Sequence, residues 1–135
     1  MRNTQIPLFS PETEWVMPEE LKDLKGCKKI AIDLETNDPN LKDLGSGNVA
    51  GEGHIAGIAV AVEGWSGYFP VHHEQGGNMD KKLVFSWLQN ILNQTDTTFI
   101  FHNAMYDVCW LRKEGLSIKG HIVDTMIAAS LIDEN

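Results

Sequence analysis

The chain has 135 residues, 42% of them hydrophobic and 22% charged, and a net charge of −8. That length suits one domain with its own core and is too short for two. The acidic balance argues against a nonspecific nucleic-acid coat, which needs clustered Lys and Arg to neutralise phosphates. No apolar stretch approaches a membrane span, and the N-terminus carries no signal-peptide core. Cys27 and Cys109 have neither CxxC spacing nor a histidine partner pattern. They read as reduced packing thiols, and the protein as soluble and cytoplasmic.

Pro7, Pro11 and Pro18 punctuate residues 1–27. This stretch is expected to form an N-terminal arm on the edge of a domain that occupies 28–135. Residues 1–10 are expected to be mobile, and Pro18 to open a short helix through Leu24. Residues 29–34 then read as a buried strand, with Ile30, Ala31, Ile32 and Leu34 as its apolar set. Asp33 and Glu35 are two apart, so on a strand they point to the same face. Two carboxylates held there repel each other and lose hydration unless something positive lies between them. A divalent cation held by oxygen ligands would supply that charge. The other reading ends the strand at Asp33 and leaves Glu35 in solvent.

Residues 37–53, rich in Gly, Asn and Asp, read as a long loop, either a lid beside the carboxylates or a surface insertion. Strands follow at 54–62 and 67–71, joined with hairpin character through Glu63, Gly64, Trp65 and Ser66. Asp80 is a good N-cap for a helix to about Asn93. Its apolar stripe is expected to be Leu83, Val84, Trp87, Leu88, Ile91 and Leu92. His72 and His73 have no evident partner and read as surface residues.

A second polar cluster comes about seventy residues after the first carboxylates. Residues 97–101 read as a short buried strand that leads at once into helical spacing at Ala104, Val108 and Leu111. Asn103 and Asp107 then lie one turn apart on one face, with Tyr106 and Trp110 beside them. Strand-to-helix junctions of this kind are where open α/β sheets place their clefts. Taken singly, Asp107 reads equally as a solvated helix residue, and Tyr106 and Trp110 as packing. His102 reads as a strand-end residue touching solvent. A short strand at 121–123 and a last helix from Thr125 complete the chain, with Asp124 as that helix's N-cap.

The motif Asp33-Leu34-Glu35-Thr36 on a strand, followed by Asn103-Ala104-Met105-Tyr106-Asp107 at a helix start, resembles the first two motifs of the DEDD (DnaQ-like) 3′→5′ exonucleases. Within that superfamily it is most similar to the proofreading domain of family A DNA polymerases, bacterial or phage. Tyr68-Phe69-Pro70-Val71-His72-His73 and Val123-Asp124-Thr125-Met126-Ile127-Ala128-Ala129 fit the same branch. The element order β-β-β-α-β-α-β-α is readable from pattern. The resemblance adds an α/β, ribonuclease-H-like mixed sheet of strand order 3-2-1-4-5.

The resemblance also implies a two-metal mechanism with Mg²⁺ or Mn²⁺. Asp33 would bridge both ions, Glu35 would bind the ion carrying the attacking water, and Asp107 would support the second. Thr36, Asn103 and Tyr106 match positions that hold the terminal nucleotide. The implied partners are a single-stranded DNA 3′ end and the rest of a polymerase chain or another subunit. One departure stands out. The family's last motif, Tyr-x-x-x-Asp or His-x-x-x-Asp, has no counterpart here. The expectation is a C-terminally incomplete domain that lacks a fourth carboxylate. Met126, Ile127, Leu131 and Ile132 would then be exposed and favour self-association or a covering partner. Two other readings remain open: a non-catalytic interaction module that kept the fold, and an RNA-trimming exonuclease of the same superfamily.

Overall fold

A computed structural model describes residues 15–133, so the mobility expected of 1–10 lies outside the described residues. In chain order the elements are β1 (Lys29–Asn37), α1 (Leu41–Leu44), α2 (Gly47–Ala50), β2 (His54–Val62), β3 (Trp65–Pro70), α3 (Lys81–Leu92), β4 (Thr98–Phe101), α4 (Ala104–Lys113), β5 (His121–Asp124) and α5 (Thr125–Asp133). The strands form one sheet in the order β3-β2-β1-β4-β5. β1, β2 and β3 pair antiparallel, and β4 and β5 extend the sheet in parallel from β1. This is the expected α/β ribonuclease-H-like arrangement.

Local chemistry explains the order. The β2–β3 reversal takes place at Glu63 and Gly64, and Gly64 adopts φ 77, which costs glycine nothing. Parallel strands cannot be joined by tight turns, so α3 links β3 to β4 and α4 links β4 to β5. Asp80 caps α3 as expected, its Oδ1 accepting the Leu83 N–H at 3.0 Å.

The core lies on one side of the sheet. Ile30, Ile32 and Leu34 of β1, Ile58 and Val60 of β2 and Phe99 and Phe101 of β4 are buried there against α3 and α4. Val84, Phe85, Leu88, Ile91 and Leu92 are the buried residues of α3. Leu83, expected in that stripe, is 63% exposed. At about 100° per residue it lies about 140° around the helix from Leu88, whereas Phe85 lies only about 60° away. Trp87 is partly buried on the flank of the stripe.

Residues 18–24 form no helix, contrary to expectation. Their groups are used in tertiary contacts instead. The Lys22 carbonyl accepts from Trp87 Nε1 at 2.8 Å, and Leu24 is buried in the core. Just beyond, the Gly26 N–H donates to Gln94 Oε1 at 2.7 Å. A continuous helix would have to give these contacts up. The long loop after β1 contains the two single-turn helices α1 and α2.

The opposite face of the sheet is built from small side chains. Register places Ala31, Asp33 and Glu35 of β1 beside Ala61, Ala59 and Gly57 of β2, and these beside Ser66, Tyr68 and Pro70 of β3. A groove runs over this face, bordered by Ala31, Asp33, Ala59, Ala61, Tyr68 and Ile100. Met126, Ile127, Leu131 and Ile132 of α5 are exposed.

Candidate active site

The two β1 carboxylates lie on the open face. Asp33 pairs with Ala59 and Glu35 with Gly57, and both acidic side chains are exposed because those neighbours are too small to cover them. β1 continues to Asn37, so the reading that ended the strand at Asp33 is set aside. The ladder slips between Glu35 and Thr36, where Ile55 rather than Ala56 becomes the next partner. Such a bulge bends and twists the strand locally.

Asp107, in the first turn of α4, is only 3% exposed, and its Oδ2 has no hydrogen-bond partner. Burial, and then the negative charges of Asp33, Asp124 and Glu35, push its carboxyl up to about 7. Both effects favour the neutral form. Among the described residues the ion pair is Lys81–Glu114, which involves none of these acids. The set is therefore hard oxygen donors, within mutual electrostatic reach and uncompensated by any cationic side chain, which fits a divalent cation in kind. It is not gathered around a point: among the described residues, no three His, Cys, Asp or Glu side chains are arranged to hold one ion.

The β4–α4 junction explains how Asp107 is aimed. Asn103 takes the left-handed conformation, φ 66 and ψ 59, the only positive φ of a non-glycine among the described residues. Asparagine tolerates that region better than most residues. Asp124 holds the turn. Its Oδ1 accepts from the Asn103 N–H at 3.0 Å and from the Met126 N–H at 2.9 Å, and its Oδ2 accepts from the Ala104 N–H at 2.8 Å. Partial desolvation alone would raise the Asp124 pKa. The N–H donors of Ala104, Met126, Asn103 and Ile127 outweigh it and hold the carboxyl below its usual range. Asp124 thus serves the start of α5, as expected, and the start of α4 as well. His102 is exposed as expected, with Nδ1 3.0 Å from Thr125 Oγ1.

Thr36 and Tyr106 meet across seventy residues of sequence. Their hydroxyls lie 2.8 Å apart, and Tyr106 also donates to Asp38 Oδ2 at 3.0 Å. Burial, with the Asp38 charge acting in the same direction, raises the Tyr106 pKa. Asp38 in turn accepts the Gly47 N–H at 3.0 and 3.1 Å, and Lys113 Nζ donates to the Glu52 carbonyl at 3.3 Å. The loop after β1 is fastened to α4 by these bonds. The Asn103 side chain joins none of them and makes no cap bond.

Two features escaped the sequence. His73, expected at the surface, is half-buried, with Nε2 2.5 Å from the Tyr68 hydroxyl. His72 is exposed, but it stacks on His54 with ring centroids 3.8 Å apart. Both histidines follow the Tyr-Phe-Pro-Val stretch, whose period-2 spacing puts Tyr68 on the face of Asp33 and Glu35. That spacing was the available signal.

A mixed sheet of order 3-2-1-4-5 with acidic residues on its central strand and at the next strand–helix junction is the ribonuclease-H-like arrangement expected from the resemblance to the DEDD nucleases. Residues 10–135 match the 3′-5′ exonuclease family, and the chain belongs to that family in its DNA polymerase A type. It is 36% identical over 143 residues to a DNA-directed DNA polymerase of Pseudomonas phage M6. That similarity covers 99% of this chain but 21% of the polymerase, so the chain spans about a fifth of that relative's length. Among solved structures it resembles Brucella melitensis NrnC with bound Mg²⁺, at TM-score 0.53 and 19% identity over 78% of this chain and 45% of that one. NrnC bound to pGG gives TM-score 0.52 at 20% identity, over 78% and 45%. At such identities the likeness is one of fold. Among the described residues, no helix is long and apolar enough to cross a membrane.

Proposed function

We propose that the chain is the exonuclease portion of a DNA polymerase and removes 3′-terminal nucleotides from single-stranded DNA ends in proofreading. The observation that carries this is the buried, unpartnered Oδ2 of Asp107, within electrostatic reach of Asp33 and Glu35, with none of the three paired to a cationic side chain among the described residues. Asp33, Glu35 and Asp107 would hold Mg²⁺ or Mn²⁺. Such ions stabilise charge on the phosphate and lower the pKa of a bound water. Residues 28–135 would be the N-terminal part of the exonuclease domain, without its last motif, and 1–27 its arm.

The chain's own residues would do the rest. Asp33 and Glu35, exposed on the open face, present oxygens where a phosphate can reach them. Asp107, whose carboxyl sits at about 7 with no cation bound, would be one of the oxygen donors in its ionised form. Thr36 and Tyr106, already joined through their hydroxyls, form one polar wall for the terminal nucleotide. Asn103, fixed in the left-handed turn, brings its amide to the same end of α4. The exposed α5 residues Met126, Ile127, Leu131 and Ile132 would be covered by further polymerase structure or by a second copy.

The test is a gel assay of 5′-labelled DNA and matched RNA single strands with Mg²⁺ or Mn²⁺, with Asp33→Ala alongside. A stepwise ladder from the 3′ end of DNA, lost in the substituted chain, is the expected result. A ladder on RNA alone would transfer the reading to RNA trimming, since the 2′-OH is the distinguishing group. No ladder from a chain folded by circular dichroism would refute activity for this chain alone and mean that the domain is incomplete without a fourth carboxylate.

A further inference from the structure

We infer that Tyr68, held by His73, is a positioning residue for the Glu35 carboxylate. Ala59 pairs with Asp33 on one side and with Tyr68 on the other, so Tyr68 projects from the same face as both β1 carboxylates. Its ring does not stand upright there. It leans across β2 so that a methyl group placed on Gly57 would overlap the Tyr68 hydroxyl and Cζ. Gly57 is the residue paired with Glu35. Directly opposed positions on antiparallel strands hold their Cβ atoms about 4.5–5.5 Å apart. The phenol oxygen therefore occupies the space a Gly57 side chain would fill, next to the base of the Glu35 side chain.

The support behind Tyr68 is built rather than incidental. His73 Nε2 lies 2.5 Å from the hydroxyl, so the phenol is held at its tip. His73 is itself clamped by Asn78, whose Oδ1 accepts the His73 N–H at 2.8 Å and whose Nδ2 donates to the His73 carbonyl at 2.9 Å. His73 is the hydrogen-bond partner of the phenol in the structure, and Glu35 acts on it through its charge. With Nε2–H donating to the phenol oxygen, the phenol proton is available to a Glu35 oxygen. A phenol keeps its proton at neutral pH, so it can act as a donor there. A hydroxyl donating to one carboxylate oxygen selects its rotamer and leaves the other oxygen directed elsewhere. That is how outer partners orient metal-binding carboxylates, and their loss commonly costs about 10–100-fold in metal affinity or activity.

The metal part of this inference rests on the reading of Glu35 as a ligand, and the experiment separates the two. Tyr68→Phe keeps the ring and removes only the hydroxyl, and His73→Gln tests the support. The carboxyl carbon of Glu35 is followed by NMR in glutamate-labelled, metal-free chain and assigned by its disappearance in Glu35→Gln. Mn²⁺ binding is measured by calorimetry on the same samples. The expected result is a shifted Glu35 signal and at least about a ten-fold loss of Mn²⁺ affinity in Tyr68→Phe, with a partial effect in His73→Gln. An unmoved Glu35 signal overturns the proposal, as does unchanged Mn²⁺ affinity where the unsubstituted chain binds the ion. If the signal moves but the unsubstituted chain binds no Mn²⁺, the Tyr68–Glu35 hydrogen bond is supported and the ligand reading alone fails.

Discussion

The two faces of β1 separate what holds this protein together from what it offers to a substrate. Ile30, Ile32 and Leu34 point one way and are buried under α3 and α4. Ala31, Asp33 and Glu35 point the other way onto a floor of Gly57, Ala59 and Ala61. The covered face is large, apolar and closed. The open face is small, polar at one end and accessible. One strand with a period of two serves both tasks because its alternate residues never compete for the same space.

That contrast can be broken by experiment. The largest effect is expected at Leu88, fully buried in the helix that seals the covered face. Leu88→Ala should lower the unfolding free energy by about 2–5 kcal/mol, from lost burial plus the cavity, measured by urea denaturation. A loss below 1 kcal/mol, on the scale of an ordinary surface change, would mean that α3 does not anchor the fold.

Asp107 sharpens the contrast because it is a buried carboxyl within electrostatic reach of the open-face charges of Asp33 and Glu35. Its folded-state pKa of about 7 lies above the ordinary 3.8, so the folded chain holds this proton more tightly than the unfolded chain. The stability lost to ionising it is absent below about pH 4, grows as pH rises to about 7, and is constant above. Asp107→Asn should therefore raise stability at pH 8 by up to about 4 kcal/mol, and by progressively less toward pH 4. A gain that is the same at every pH would rule out titration as its cause.

Smaller effects follow at the rim of α3. Asp80→Ala removes the acceptor for the Leu83 N–H and should cost about 1 kcal/mol. Leu83→Ala, on the exposed side of the same helix, should change stability by less than about 0.5 kcal/mol. Thermal unfolding of the pair side by side tests whether the helix has the two sides described. Equal losses would place Leu83 in the core after all.

Much of this fold was legible because its signals are local. The reversal after β2, the Asp80 cap and the apolar run 54–62 each act within a few residues, and β2 spans His54–Val62 as expected. The turn is tighter than the expected 63–66, since Trp65 and Ser66 already belong to β3. The stripe of α3 was read one residue off on each flank, at Leu83 and Phe85, since periodicity gives a centre more surely than an edge. What escaped depends on chain segments brought together by the sheet. The Tyr68–His73 pair reaches the space over Gly57, the residue opposite Glu35, only because β3 lies beside β2 and Gly57 leaves room. α1 and α2 are single turns, too short for any period to show. Residues 18–24 look like a helix start until Leu24 and the Lys22 carbonyl find α3.

The carboxylate of Asp124 has a mechanical consequence. It grips the first peptides of α4 and of α5 at once, while its own strand is locked to β4 through the Phe101–Asp124 register. The two helix starts therefore share one anchorage. A substitution at this single carboxylate would loosen the left-handed turn at Asn103 and the first turn of α5 together, so the exposed side of α5 and the turn that carries Asp107 hang from the same rivet.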